Sequence, residues 1–202
     1  MKPLTNPQDF PSATNFSYLN AANVSLMFNG AEEKIHDWFG DLSKNGSNNF
    51  TEEVEENVFK ALHQAAAKLI NAEPNEISAG SSATELISSL AWAISPRKGK
   101  NIVSTSSAFP STVYPWMRVT NSTGAEIRLA DAVSGFTSID DIKKLVNRET
   151  EVVCISHTEY STGQTYDLIQ LAEIAHQNDA ILVVDATQSV GTIPIDVKQC
   201  PI

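Results

Sequence analysis

Two kinds of apolar pattern alternate along this chain: short unbroken runs, and longer stretches in which apolar residues recur every three or four positions. The short runs, rich in β-branched side chains, predict buried strands at 101–105, 126–130, 151–156 and 180–184. Helical spacing predicts helices over 51–71, 83–94, 111–120, 138–146 and 167–178. In the first of these, Val54, Val58, Leu62, Leu69 and Ile70 fall near one face. Thr51 stands at the N-cap position there, and Glu52, Glu53, Glu55 and Glu56 make an acidic first turn. The helix over 83–94 is entered through Gly80, Ser81 and Ser82. Residues 12–30 are rich in Asn, Ser and Ala and read as an arm, with Phe16, Tyr18 and Leu19 able to pack down on another surface. Helices alternating with apolar strands at these separations imply right-handed crossovers. The expected fold is α/β, a doubly wound, mostly parallel sheet with helices on both faces. Residues 1–50 are taken as an amino-terminal arm and 51–202 as one domain, with no internal repeat or linker.

Composition narrows the functional classes. With 202 residues, 42% hydrophobic and 19% charged, the chain has enough apolar content for a sizeable core. A formal net charge of −10 argues against nucleic acid and anionic membranes as partners. Cys154 lies inside an apolar run and Cys200 near the end, with no Cys or His at ligand spacing, so reduced thiols and no metal site are expected. Met1 to Phe10 holds one lysine and no apolar core segment, so a secretory signal is not expected, and no stretch reaches about 18 apolar residues; the expected location is cytoplasmic.

Candidate chemistry gathers where strands hand over to helices. The run ILVVD ends in Asp185, with Gln188 one turn later. A carboxylate at the carboxyl edge of a parallel sheet lies where α/β proteins bind ligands. It suits the protonated ring nitrogen of pyridoxal phosphate, with Gln188 donating to the phenolic oxygen, and it equally suits a nucleotide ribose or a metal. GSSATE, 80–85, offers free backbone N–H groups and the hydroxyls of Ser81, Ser82 and Thr84, a phosphate cradle or simply an N-cap. Neither G-x-x-x-x-G-K-[ST] nor G-x-G-x-x-G occurs. In SSAFPSTVYPW, Phe109 follows a strand and would stand at the same edge, either against a flat heteroaromatic ring or in the core. SHTEYSTGQ, 156–164, supplies His157, Glu159, Tyr160 and Thr162. For His157, packing or capping a loop is the expected role.

Taken together, YLNAA, SATE, FPSTVYPW, STG-x-x-x-DL and VVDATQSVG followed by PIDV resemble the class V aminotransferase-like family of fold-type I pyridoxal phosphate enzymes. That family includes cysteine desulfurases, kynureninases, aminotransferases and lyases. The resemblance runs from about Tyr18 to Val197. It implies that pyridoxal 5'-phosphate is the cofactor, held at its phosphate by Ser82, Ala83 and Thr84. Phe109 would stack on the ring, Asp185 would bind the pyridine nitrogen, and Tyr160 and Gln188 would approach the phenolic oxygen. It further implies a small amino-acid substrate handled through aldimine and quinonoid intermediates, and a homodimer in which the arm around residues 20–25 lies near a site mouth.

Two departures qualify the resemblance. Many desulfurases carry a His where this chain has Phe109, which leans away from cysteine desulfurization and toward aminotransferase-like or kynureninase-like branches; kynureninases in turn usually lack the Gln found at 188. The family's Schiff-base lysine belongs farther beyond Asp185 than this chain reaches, and Lys60, Lys68, Lys98, Lys100, Lys143, Lys144 and Lys198 stand elsewhere. No catalytic lysine is therefore assigned. The chain is expected to be the amino-terminal part of a longer protein, inactive alone. A noncatalytic module for a phosphorylated ligand and a short paralogue lacking the lysine remain alternative readings.

Overall fold

The computed structural model describes residues 6–202, which divide into two compact units, one ending at Leu62 and one spanning His63–Ile202. In the first unit, short 3₁₀ turns at Pro7–Asp9 and Pro11–Thr14 precede helix α1 (Ala31–Asn45). This helix is not among those the apolar spacing above predicts. Yet Ile35, Trp38, Phe39 and Leu42 repeat at helical spacing, and the ring of Trp38 packs edge-on to Phe50 with centroids 5.5 Å apart. Gly46, at φ 60°, ends α1 by donating its N–H to Leu42 O.

The expected helix over 51–71 is broken into α2 (Glu52–Asn57) and α3 (Lys60–Ile70). Thr51 caps α2 as anticipated, accepting from the Val54 N–H. The Asn57 side chain then donates to Glu53 O at 2.7 Å, and the Val58 N–H turns to Glu55 O in a tighter, three-residue closure. A side-chain amide competing for a helix carbonyl is a local cause of such a break.

The second unit holds the predicted alternation: α4 (Ala83–Ile94), β1 (Asn101–Thr105), α5 (Pro110–Thr123), β2 (Glu126–Ala130), α6 (Ile139–Leu145), β3 (Thr150–Ser156), α7 (Leu168–His176) and β4 (Ile181–Asp185). All strand pairs are parallel, in the order β2-β1-β3-β4. Alternate residues divide the core between the two sheet faces. Ile102, Val152 and Cys154 pack with Ile87 and Ala91 of α4 and Trp116 and Val119 of α5. Val103, Val153 and Ile155 pack with Ile142 of α6 and Leu171 and Ala175 of α7. Helices therefore cover both faces of a parallel sheet, the doubly wound α/β fold. Among the described residues no helix is long and apolar enough to cross a membrane. Both cysteines are free and buried, and burial pushes the Cys154 thiol up to about 12.

The strand order places the site. From β1 the chain crosses to β2 on one side, and from β3 to β4 on the other. The loops leaving β1 and β3 at their carboxyl ends therefore part in opposite directions, which opens a crevice between them, the usual ligand position in open parallel sheets.

Candidate functional site

Asp185 ends β4 at this edge and is 9% exposed. Its Oδ1 accepts from the Thr187 N–H at 3.0 Å and the Thr187 hydroxyl at 2.6 Å, and its Oδ2 accepts from the Thr112 hydroxyl at 3.2 Å. A carboxylate offers about four lone-pair positions, two on each oxygen. Three are filled, and the open one is on Oδ2. A buried acceptor with one position unfilled is suited to a single N–H donor from a ligand.

His157 braces the same turn from β3. Its backbone N–H donates to Asp185 O at 2.8 Å, and its Nδ1 lies 2.9 Å from Ser189 Oγ. Ser189 Oγ also lies 3.2 Å from Ala186 O, so this hydroxyl ties the His157 ring to the turn that follows β4. Burial pushes the His157 pKa down. This is the loop-capping histidine anticipated from the sequence. Gln188, between the two tethered residues, is exposed and makes no side-chain hydrogen bond among the described residues.

A second cluster forms at the start of α4. Ser82 is the N-cap, its hydroxyl accepting from the Glu85 N–H at 3.1 Å. Both the N–H and the hydroxyl of Ser81 are directed to Glu85 Oε2 at 2.6 Å, so Ser81 is engaged within the loop. Those bonds hold the Glu85 carboxyl below its ordinary pKa. The N–H groups of Ala83 and Thr84 have no hydrogen-bond partner among the described residues, as expected for the first turn of a helix. The Thr84 hydroxyl lies 2.6 Å from Ser111 Oγ, in the first turn of α5. Two helix N-termini, those of α4 and α5, are thereby joined through a pair of hydroxyls, and both carry positive partial charge.

Phe109 is the N-cap residue of α5 and 46% exposed, so it is not a core residue of the described structure. Its ring meets that of Tyr160, 53% exposed, edge to face with centroids 5.2 Å apart. The structure thus brings Ser82, Ala83 and Thr84 to α5 through Ser111, Asp185 to α5 through Thr112, and Tyr160 to α5 through Phe109.

Ser111, Thr112 and Thr187 went unmarked in the sequence. The available signal was position: Ser111 and Thr112 fall in the first turn of a helix starting beside Phe109, where short hydroxyl side chains are accessible. In the sequence, Glu159 stands out only as a carboxyl in the 156–164 loop. It is 1% exposed, and burial, with the nearby charge of Asp185, raises its pKa. Among the lysines, Lys198 lies beyond β4 and pairs with Glu73 at 3.1 Å.

Comparison with known proteins bears on this arrangement. The profile of the family described as Aminotransferase class-V matches residues 17–202. The chain is 29% identical over 192 residues to the uncharacterized aminotransferase YcbU of Bacillus subtilis, covering 95% of this chain and 50% of that protein. It is 32% identical over 164 residues to cysteine desulfurase IscS of Buchnera aphidicola, covering 79% of this chain and 40% of the relative. Among solved structures, the K223A mutant of C-DES, with glycine covalently linked to its pyridoxal phosphate cofactor, superposes with a TM-score of 0.83 at 20% identity, over 98% of this chain and 54% of that one. The cysteine desulfurase CsdA of Escherichia coli gives 0.79 at 22% identity, over 99% and 53%. The chain spans about half the length of the curated relatives it matches end to end.

Proposed function

The chain belongs to the aminotransferase class-V family, and from that premise we propose that it forms the cofactor-binding half of a pyridoxal phosphate-dependent enzyme acting on a small amino acid. The observation that carries this reading is the open lone pair on Asp185 Oδ2, inside a carboxylate whose other positions are filled by Thr112 and Thr187. It fits a protonated pyridine nitrogen, which brings one donor and a compensating charge to a buried anion.

The remaining residues fit the other parts of the same molecule. The open N–H groups of Ala83 and Thr84, with the hydroxyls of Ser82, Thr84 and Ser111, would hold the phosphate, where a doubly negative group meets two helix N-termini. Phe109 would cover one face of the ring and keep water from it, and Tyr160 and Gln188 would donate to the phenolic oxygen. When bound, pyridoxal phosphate supplies an aldehyde for condensation with an amino group and a protonated ring that withdraws electron density from the amino acid's Cα. Asp185 keeps the proton on the ring nitrogen, and Thr112 and Thr187 keep the carboxylate aimed at it.

The names of the relatives divide between aminotransferase and cysteine desulfurase. Phe109 supports the first, because a phenyl ring neither takes up nor delivers a proton at the face it covers. We further infer a homodimeric full-length protein whose cofactor lysine is supplied outside these residues.

The test is titration of the full-length protein with pyridoxal phosphate. Saturable binding, a visible band that disappears on borohydride reduction, and at least about tenfold weaker binding in Asp185→Ala support the reading. Absence of binding overturns it.

A further inference from the structure

Glu159 has no part in the assignments above, yet it is among the most buried side chains in the molecule, 1% exposed at the crevice between β1 and β3. Its Oε1 accepts from the hydroxyls of Thr105 at 2.9 Å, Ser107 at 3.3 Å and Tyr166 at 3.5 Å. Its Oε2 is buried without a partner among the described residues, and no Lys, Arg or His there pairs with it. An apolar side chain would fill this place at a lower desolvation cost. What the carboxyl adds is a fixed position for the hydroxyls it gathers.

Those hydroxyls identify what is being fixed. Thr105 ends β1, and Ser107 lies in the loop that reaches Phe109 two residues later. On the other side, Glu159 is followed at once by Tyr160, whose ring meets Phe109. The two diverging loops are therefore tied twice, by the buried carboxyl and by the half-exposed ring pair.

We propose that Glu159 is a positioning residue that locks the β1–α5 loop to the β3–α7 loop and so sets the attitude of Phe109 over the cofactor ring. The proposal rests on the reading that Phe109 stacks on pyridoxal phosphate.

A double-mutant cycle in the full-length protein tests it, read by the dissociation constant for pyridoxal phosphate and by the visible circular dichroism induced in the bound cofactor, which reports ring attitude. Phe109→Ala and Glu159→Ala should each weaken binding about fivefold to tenfold. Combined, they should lose no more than about twofold beyond either alone. Glu159→Gln, which retains an acceptor at the Oε1 position, should restore both the affinity and the dichroic band. If Glu159→Ala does not fold, the Thr105→Val, Ser107→Ala pair removes the same bonds from the loop side and enters the cycle in its place. Additive losses, an unchanged constant in Glu159→Ala, or a Gln variant that behaves like Ala overturns the proposal while leaving the stacking intact. An unchanged constant in Phe109→Ala overturns the stacking itself, and the positioning role with it.

Discussion

The hydroxyl of Thr112 donates to Oδ2 of Asp185 at 3.2 Å, linking the first turn of α5 to the end of β4. One residue earlier, Ser111 meets Thr84 on α4, and Phe109, at the helix cap, meets Tyr160 on the loop after β3. Successive helical residues point about 100° apart, so adjacent side chains can address opposite ends of one ligand. The start of α5 therefore touches Thr84, Asp185 and Tyr160 and sets the separation between the anion-binding and carboxylate ends of the proposed site.

Thr112→Val keeps the shape of the side chain and deletes the donor to Asp185. A buried carboxylate that loses a hydrogen bond costs about 1–3 kcal/mol. Urea unfolding of the full-length protein should show that loss, and affinity for pyridoxal phosphate should fall as the carboxylate loses its orientation. Unchanged values in both measurements would remove Thr112 from the site.

Ser111→Ala leaves the Thr84 hydroxyl without its partner at the anion end. Removal of one hydrogen bond of this kind corresponds to a roughly twofold to tenfold weaker constant for pyridoxal phosphate. Ser82→Ala carries a stability cost as well as any loss of phosphate affinity, because its hydroxyl caps α4 rather than pairing across helices. That variant should lower stability by about 1 kcal/mol. Thermal and urea midpoints alongside cofactor titrations would separate the two effects, and equal stability losses would contradict the division of roles.

His157 gives stability a dependence on acid. Burial lowers its folded pKa below the ordinary value of 6.5, so the folded state resists a proton that the unfolded chain accepts. Its contribution is whole above 6.5 and is lost as pH falls from there through the depressed folded value. His157→Gln should flatten this limb of the profile of urea midpoint against pH. If wild type and variant decline in parallel below neutrality, other groups carry the acid sensitivity.

Much of the second unit could be read directly from residue pattern. Strands such as Ile181–Asp185 are unbroken apolar runs, and Gly124, at φ 78°, ends α5 with a residue that adopts the left-handed region without strain. Asp185 and Ser82 were legible because each stands where a strand ends or a helix begins. Thr112 and Glu159 were not, since their partners lie 73 and 54 residues away and nothing local marks a hydroxyl or carboxyl that will be buried. The break between α2 and α3 escaped for a related reason: the apolar spacing continues through it, while the cause is one Asn side chain reaching back to a carbonyl.

Glu159 sets an opposite limb of the pH profile. Burial, reinforced by the charge of Asp185 and only partly offset by the three hydroxyls, lifts its folded pKa above the ordinary 4.5. The folded state then holds a proton that the unfolded chain releases more readily. Its stabilising contribution is whole below 4.5 and is lost as pH rises through the elevated folded value. Glu159→Gln carries no titrating proton at this position. Relative to that variant, wild type should be most favoured in acid and should lose ground as pH rises, with a slope of at most about 1.4 kcal/mol per pH unit for one proton. Urea midpoints of both proteins from about pH 4 to about pH 8 give the difference curve, in which shared contributions such as that of His157 cancel. A flat difference across that range would mean that the carboxyl has the same proton affinity folded and unfolded, contrary to its burial.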